Sequence, residues 1–323
     1  MAAARASKIF DVLIIGGGPA GLTFAGSLAR QLHTALILDS GVYRNDPTNH
    51  MHNVPGWDHA HPSEFRAKLR EDLAARYHTV EYKKGTVNSV RKLEAEDLFE
   101  AVDEDGVVYQ SRKLALATGV RDRTEAEVKG YAECWGRGVF HCLYCEGYEQ
   151  RGADSVGALA TGYNAEPEMF LHVAHLAKRL SGQVNLYTNG NEKLAASLPA
   201  HIKSSKIVLD PRPIESLSLV DGGPQVRVNF ADGTSRVEGF IVSHPTVEQR
   251  AKYLTEQLGL ETTPLGHVVV EEPFKETSVK GCFAAGDMAT PVSAVTQAMH
   301  MGTFAAIGTV SQLQAELEAK DAL

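Results

Sequence analysis

Phe10-Asp11-Val12-Leu13-Ile14-Ile15-Gly16-Gly17-Gly18-Pro19-Ala20-Gly21 decides the fold. Its first half is an apolar run rich in β-branched residues, the pattern of a parallel strand buried on both faces. The run passes directly into G-x-G-x-x-G, formed by Gly16, Gly18 and Gly21. Leu22 to Gln31 follows with helical periodicity, and Ala35 to Leu38 reads as a second strand that ends at Asp39. Strand, turn, helix and strand in that order make one βαβ unit of the dinucleotide-binding kind. Gly16 allows the tight turn, Gly18 lets backbone approach a pyrophosphate, and Gly21 lets the helix pack on the strand. Pro19 and Ala20, within the turn, are further candidate cofactor-binding residues, and the N-terminus of the helix that follows faces the phosphates. Asp39 is placed to accept from ribose hydroxyls.

Two further segments complete such a site in the manner of FAD enzymes. Leu114 to Gly119 is a strand that ends in Ala117-Thr118-Gly119, and Thr277 to Asp287 ends a C-terminal strand in Gly286-Asp287. The Asp287 carboxylate is expected to bond a ribityl hydroxyl, with the N-terminus of the next helix aimed at the flavin pyrimidine. These segments flank a middle region in which Val156–Leu159, Glu166–Leu180 and Val184–Tyr187 repeat the strand, helix, strand order. The expected fold is therefore α/β, with two Rossmann-like doubly wound domains. Residues 1–118 and 246–323 form a discontinuous FAD domain, and 119–245 a second nucleotide-binding-like domain. Asp103 to Gly106 and Ala231 to Thr234 read as solvated hairpin tips.

Composition narrows the partners. The 323 residues are 43% hydrophobic and 22% charged, an ordinary globular mixture with room for two medium domains. A formal net charge of −8 has the wrong sign for a protein that holds nucleic acid. The longest apolar runs, such as Val12–Ile15, fall far short of the ~20 residues that cross a bilayer. The N-terminal MAAARASKIF lacks the layout of a signal peptide, so the cytoplasm is the expected location. Four cysteines are too few for a disulfide scaffold, and the spacing of Cys142 and Cys145 suggests redox chemistry or metal. Cys142, Cys145, His141 and Cys134 are a poor zinc set, because adjacent His141 and Cys142 strain a tetrahedron and no second Cys-x-x-Cys exists. No metal is expected, and Cys134 and Cys282 read as buried small apolar residues.

Gly16 to Gly21, Val54-Pro55-Gly56, Ala117-Thr118-Gly119, Cys142-Leu143-Tyr144-Cys145 and Gly286-Asp287 occur in the order and at the spacings of low-molecular-weight thioredoxin reductases. The chain resembles that family over nearly its whole length. The resemblance implies a homodimer, FAD in the discontinuous domain, and a Cys142–Cys145 disulfide that exchanges electrons with the flavin. Arg44, Asn45 and Asn49, after the Asp39 strand, are placed to reach the FAD phosphates or else form a surface loop, and Ser40, Val87 and Val295 are further candidate cofactor-binding residues. Two departures are informative. The glycine motif of the middle domain is degraded to Ala160-Thr161-Gly162-Tyr163-Asn164-Ala165, which compromises phosphate approach. Where the reductases carry arginines for the 2′-phosphate of NADPH, this chain reads Tyr187-Thr188-Asn189-Gly190. Each charge-assisted bond so lost is worth about 1.5 to 3 kcal/mol.

A flavin with a redox disulfide but a poor hydride-donor site turns over if electrons flow from a dithiol to oxygen. The segment Cys142 to Glu149 is similar to that of FAD-dependent dithiol oxidases of the gliotoxin and holomycin type, although Leu143 stands where proline is common. That resemblance implies oxidation of a small natural-product dithiol to an intramolecular disulfide, with O2 reduced to hydrogen peroxide. Cys142 would take the substrate thiolate and Cys145 would face the flavin. The motif is expected to open a helix whose N-terminus stabilises a thiolate. Glu146 and His141 are the candidate proton acceptors, with His300 a further one or a partly buried core residue. The competing readings are a thioredoxin reductase-like enzyme fed by NADPH or ferredoxin, and a silent flavoprotein that sequesters a dithiol. Peroxide release separates the first reading from the other two.

Overall fold

The apolar run becomes the strand Ile9–Ile15, and its alternation explains why nearly every residue is apolar. Leu13 and Ile15 point into one buried cluster, while Val12 and Ile14 point into another on the opposite face. A strand covered on both sides has no solvent face to make polar. The computed structural model describes residues 8–321. The stretch read above for a leader lies, up to residue 7, outside the described residues.

The chain divides into two units. The first comprises Met1–Asp46, Pro62–Arg121 and Glu248–Leu323. Six strands of its seven-stranded sheet run in the order Val80–Lys84, Ala35–Asp39, Ile9–Ile15, Val108–Leu116, Leu98–Asp103, Val87–Leu93, and the seventh, Cys282–Ala284, joins Val108–Leu116 off this path. The strand Val108–Leu116 changes partner along its length. Its first part pairs antiparallel with Leu98–Asp103, and its last part pairs parallel with Cys282–Ala284. The strands that end in Gly16, Asp39, Ala117 and Ala285 are therefore parallel neighbours, and their C-terminal ends lie along one edge. The helices Pro19–Ala29 and Val295–Glu318 cover one face and pack on each other, so closely that a Cβ on Gly302 would fall 2.3 Å from the Ala20 carbonyl oxygen.

The second unit comprises Pro47–His61 and Asp122–Val247. Its five-stranded parallel sheet has the order Ile207–Asp210, Ser181–Tyr187, Ala153–Leu159, Ile241–Ser243, Val139–Phe140. The helix Pro167–Lys178 makes the crossover between Ala153–Leu159 and Ser181–Tyr187. An antiparallel meander, Ile214–Leu219, Val226–Phe230 and Ser235–Glu238, completes the unit. Both units are thus Rossmann-like α/β folds.

The stretch 47–61, placed with the first domain from the sequence, groups with the second unit. A bridge between Met51 and Ala60 closes it into a loop, and the Asn53 amide donates to the Tyr144 carbonyl at 2.5 Å. The hairpin tip at Asp103 also differs from expectation. Asp103 is buried rather than solvated, and accepts from Lys83 Nζ and the Tyr109 hydroxyl, each at 2.7 Å. Among the described residues no helix is long and apolar enough to cross a membrane.

Candidate functional site

In the first unit the glycine turn touches every other segment predicted to join it. Gly16 has φ +115°, and a Cβ there would lie 2.2 Å from the Ala117 oxygen. Gly17 lies against the Asp39 carboxylate, and Gly286 against Ala20. Close approach is thus the reason for glycine at Gly16, Gly17 and Gly21; a Cβ on the last would fall 2.0 Å from the Gly16 oxygen. Gly18 is different. A Cβ on it would meet nothing within 4 Å, so its missing side chain leaves open space on the outer side of the turn.

The electrostatics of this cradle fit a diphosphate and a flavin. Neither the helix Pro19–Ala29 nor the helix Val295–Glu318 has a side-chain cap or an acidic residue in its first turn. Two sets of orphan N–H groups, each with a positive dipole end, are left for an outside electron-rich group. Val295 opens the second of these helices. Arg44 donates to Asp287 Oδ2 at 2.8 Å and to the Ser293 hydroxyl at 2.6 Å, tying the loop after the second strand to the Gly286-Asp287 turn. Asp39 is 2% exposed and already accepts from the Gly41 amide and from the hydroxyls of Tyr43 and Tyr82. A ribose hydroxyl would join these donors at one carboxylate. Ser40 and Gly119 are half-buried, and Val87 starts a strand with its carbonyl taking the Tyr253 hydroxyl at 2.6 Å. Asn49 lies in the loop that groups with the second unit.

The glycine turn makes a paired expectation. Gly18→Ala has ordinary backbone angles, φ −77° and ψ −177°, and should fold, yet its methyl occupies the space a pyrophosphate needs. Retained melting temperature with flavin affinity weakened about tenfold or more is expected, read by thermal unfolding and by flavin release on dilution. Gly21→Ala should instead destabilise the fold by about 2 kcal/mol or more, because its methyl collides with backbone. Equal flavin retention in Gly18→Ala and the native protein would count against this cradle.

The second unit carries the redox pair. Cys142 and Cys145 form a disulfide with Cα atoms 5.2 Å apart. The expected helix at this motif is absent. The Cys142 carbonyl accepts from the amides of Cys145 and Glu146, a single turn that stops at Gly147, where φ is +96°. A Cβ at Gly147 would press on Leu143, Leu180 and Phe240, so the chain turns away rather than winding on. Thiolate stabilisation by a helix dipole therefore drops out of the account. Burial pushes the Glu146 carboxyl up to about 7, and the charge of Glu149 adds to the rise. His141 is stacked on Trp135 with ring centroids 5.7 Å apart, and meets His244 edge-on at 5.7 Å. His300 belongs to the first unit and is exposed against Phe304, not a core residue. Cys134 and Cys282 are buried thiols, raised by burial to about 11 and about 12.

The degraded glycine turn is closed. A Cβ on Gly162 would fall 2.5 Å from the His244 oxygen, and the Tyr163 amide donates to that oxygen at 3.2 Å. The Tyr163 ring meets His244 edge-on at 5.1 Å. Tyr163, His244, His141 and Trp135 thus form one aromatic chain from the closed turn to the residue before Cys142. Asn189 Oδ1 accepts from the Ile214 amide at 2.7 Å, so the residue at the end of the second strand is also engaged within the fold.

Sequence reasoning missed Tyr43, Tyr82 and Ser293 in the first unit, and His244 in the second. None carries a motif, and each is joined to its partner only by the folded chain.

Residues 10–164 match the model of the pyridine nucleotide-disulphide oxidoreductase family. A thioredoxin reductase of Aspergillus oryzae, aclD, is 45% identical over 98% of this chain and all of its own. Thioredoxin reductase tcpT of Claviceps purpurea is 42% identical over 98% of each chain. The solved oxidoreductase of Agrobacterium tumefaciens is 30% identical, with a TM-score of 0.82 over 95% of this chain and 99% of that one. Members of the family are FAD-binding flavoproteins, in accord with the cradle of the first unit. With relatives this close along almost the entire length, the chain belongs to the pyridine nucleotide-disulphide oxidoreductase family.

Proposed function

We propose that this oxidoreductase is a dithiol oxidase, which closes an intramolecular disulfide in a small natural-product dithiol at the expense of O2. The observation that carries the reading is the closed turn at Ala160 to Ala165, beside an intact Cys142–Cys145 disulfide in the same unit. A unit that keeps the redox pair but has filled its phosphate turn is suited to electrons that arrive as thiols. The net charge of −8 accords with a partner other than nucleic acid. A homodimer acting in the cytoplasm, away from any membrane, is part of the same proposal.

The chemistry balances on the chain's own residues. A substrate thiolate attacks Cys142 Sγ, the Cys142–Cys145 bond breaks, and Cys145 leaves as a thiolate. The second substrate thiol, on losing its proton, attacks the substrate sulfur of the mixed disulfide and releases Cys142. The product departs as a cyclic disulfide, and two electrons remain on the cysteine pair. Glu146, next to Cys145 and titrating near neutrality, and His141, next to Cys142, take the thiol protons. The glycine turn, Asp39, Arg44, Thr118 and Asp287 would hold FAD, which would supply the two-electron chemistry that restores the disulfide and passes the pair to O2 as hydrogen peroxide.

A base must be deprotonated to act, so turnover should rise with pH through about 7. Glu146→Gln should remove that limb and cost about 10²-fold at pH 8. The same substitution should raise stability there. A folded-state value above the unfolded one means that the unfolded chain loses its proton first, so native stability falls between the two as pH rises. Steady-state rates and melting temperatures across pH 5 to 9 check both signs.

The test of the function is anaerobic. A small dithiol alone should bleach the oxidised flavin, and air should restore the colour with one peroxide released per dithiol oxidised. A reduced enzyme that is stable in air and passes its electrons to a protein disulfide would make it a reductase.

A further inference from the structure

The loop His50 to His61 brings four histidines into a twelve-residue circuit that the function above does not use. The Met51–Ala60 bridge and the hydrogen bond from the His59 amide to the Met51 carbonyl, at 2.9 Å, hold its two limbs together. His59 sits at φ +64° and Asn53 at φ +62°, left-handed conformations that non-glycine residues seldom take, so the loop is built at a cost. Its closure sets His52 and His59 beside Glu149, which lies four residues beyond Cys145.

One nitrogen of each histidine and one oxygen of Glu149 all lie within 4.8 Å of one another. His52 Nε2 is 3.6 Å from Glu149 Oε1, long for a strong hydrogen bond but near the separation of roughly 3.4 Å between two ligand atoms on a tetrahedral zinc ion. The other nitrogen of the same ring, Nδ1, faces Asp58 Oδ1 at 3.3 Å. A carboxylate behind a ligating histidine is the usual outer partner that fixes the ring and its tautomer. His50 stacks flat on His59, with centroids 4.0 Å apart and planes 9° from parallel, which restrains the second ring.

We propose that His52, His59 and Glu149 form a binding site for a single divalent cation of the zinc class, with Asp58 orienting His52. Two imidazoles and one carboxylate suit zinc better than calcium or magnesium, which prefer oxygen alone. Three protein ligands leave a fourth position for water or a soft anion such as a thiolate. The proposal is independent of the function argued above, because it concerns only what the loop binds.

The test uses untagged, FAD-loaded enzyme with the Cys142–Cys145 disulfide oxidised, so that no exposed thiol competes for metal. After chelator treatment, Zn2+ is titrated by calorimetry and Co2+ by its visible absorption. One equivalent is expected to bind. His59→Asn, which keeps a residue tolerant of the left-handed backbone, and Glu149→Gln, at an exposed position, should each weaken binding by about 100-fold. Asp58→Asn should weaken it by about tenfold. Unchanged flavin content and melting temperature show that the variants are folded. Absence of saturable binding, or saturable binding that all three variants leave unchanged, overturns the site.

Discussion

Cys145→Ser stops dithiol turnover, by on the order of 10³-fold or more, while the protein stays yellow. The loss is expected because the proposed mechanism makes the Cys142–Cys145 disulfide the electron acceptor for the substrate, and a lone Cys142 thiol accepts nothing. The colour is expected to stay because the flavin cradle is built from the glycine turn and the Arg44–Asp287 pair, and Cys145 belongs to the other unit. The two cysteines should also differ from each other. In Cys145→Ser the remaining Cys142 should form a mixed disulfide with an added linear disulfide, releasing one thiol, and the adduct is read by mass. Cys142→Ser should form much less of it, since Cys142 is assigned to meet the substrate. Full activity in Cys145→Ser would end the mechanism, and equal trapping by both variants would end the assignment of roles.

What could be read in the residues, and what could not, divides along the range of the interaction. The strand Ile9–Ile15, the glycine turn and the helix after it are local, with one period and one turn chemistry deciding each; the helix runs from Pro19 to Ala29, starting inside the turn rather than at Leu22 as the periodicity put it. The helix expected at Cys142 failed for a local reason of another sort. Gly147 in a left-handed conformation, hemmed by Leu143, Leu180 and Phe240, halts the winding after one turn, and no periodicity declares that crowding. The contacts that finish the cradle were out of reach because they are long-range. Arg44 and Asp287 lie 243 residues apart, and Tyr82 reaches Asp39 from the neighbouring strand. Likewise, the approach of Glu149 to His52 depends on a loop that groups with the distant second unit rather than with its neighbours in sequence. Spacing names the kind of site, and strand order selects its remaining members.

NADPH in large excess, offered without oxygen, reduces the flavin at less than about one hundredth of the rate given by a dithiol. A pyrophosphate on a Rossmann unit needs free amides at the turn and a helix N-terminus that welcomes negative charge. Here the amides of the turn are taken: the Tyr163 amide donates to the His244 carbonyl and the Asn164 amide to the Thr161 carbonyl at 2.8 Å. Glu166 is the N-cap residue of the helix Pro167–Lys178, and Glu168 stands in its first turn, so negative charge near the positive end repels a phosphate. Two or three charge-assisted bonds forgone, at about 1.5 to 3 kcal/mol each, weaken binding by on the order of 10²-fold at the least. The same closure has a second use. His244, whose carbonyl takes the Tyr163 amide, meets His141 edge-on, so the contact that shuts the nucleotide turn also buttresses the residue beside Cys142. Opening the turn for NADPH would release His141, and the two properties should be lost or kept together. A Tyr163→Gly variant that gains NADPH reduction while losing dithiol turnover would bear out that coupling. Rapid bleaching of the native enzyme by NADPH would instead show that a turn with its amides spent still admits the nucleotide, and the oxidase reading would fall with it.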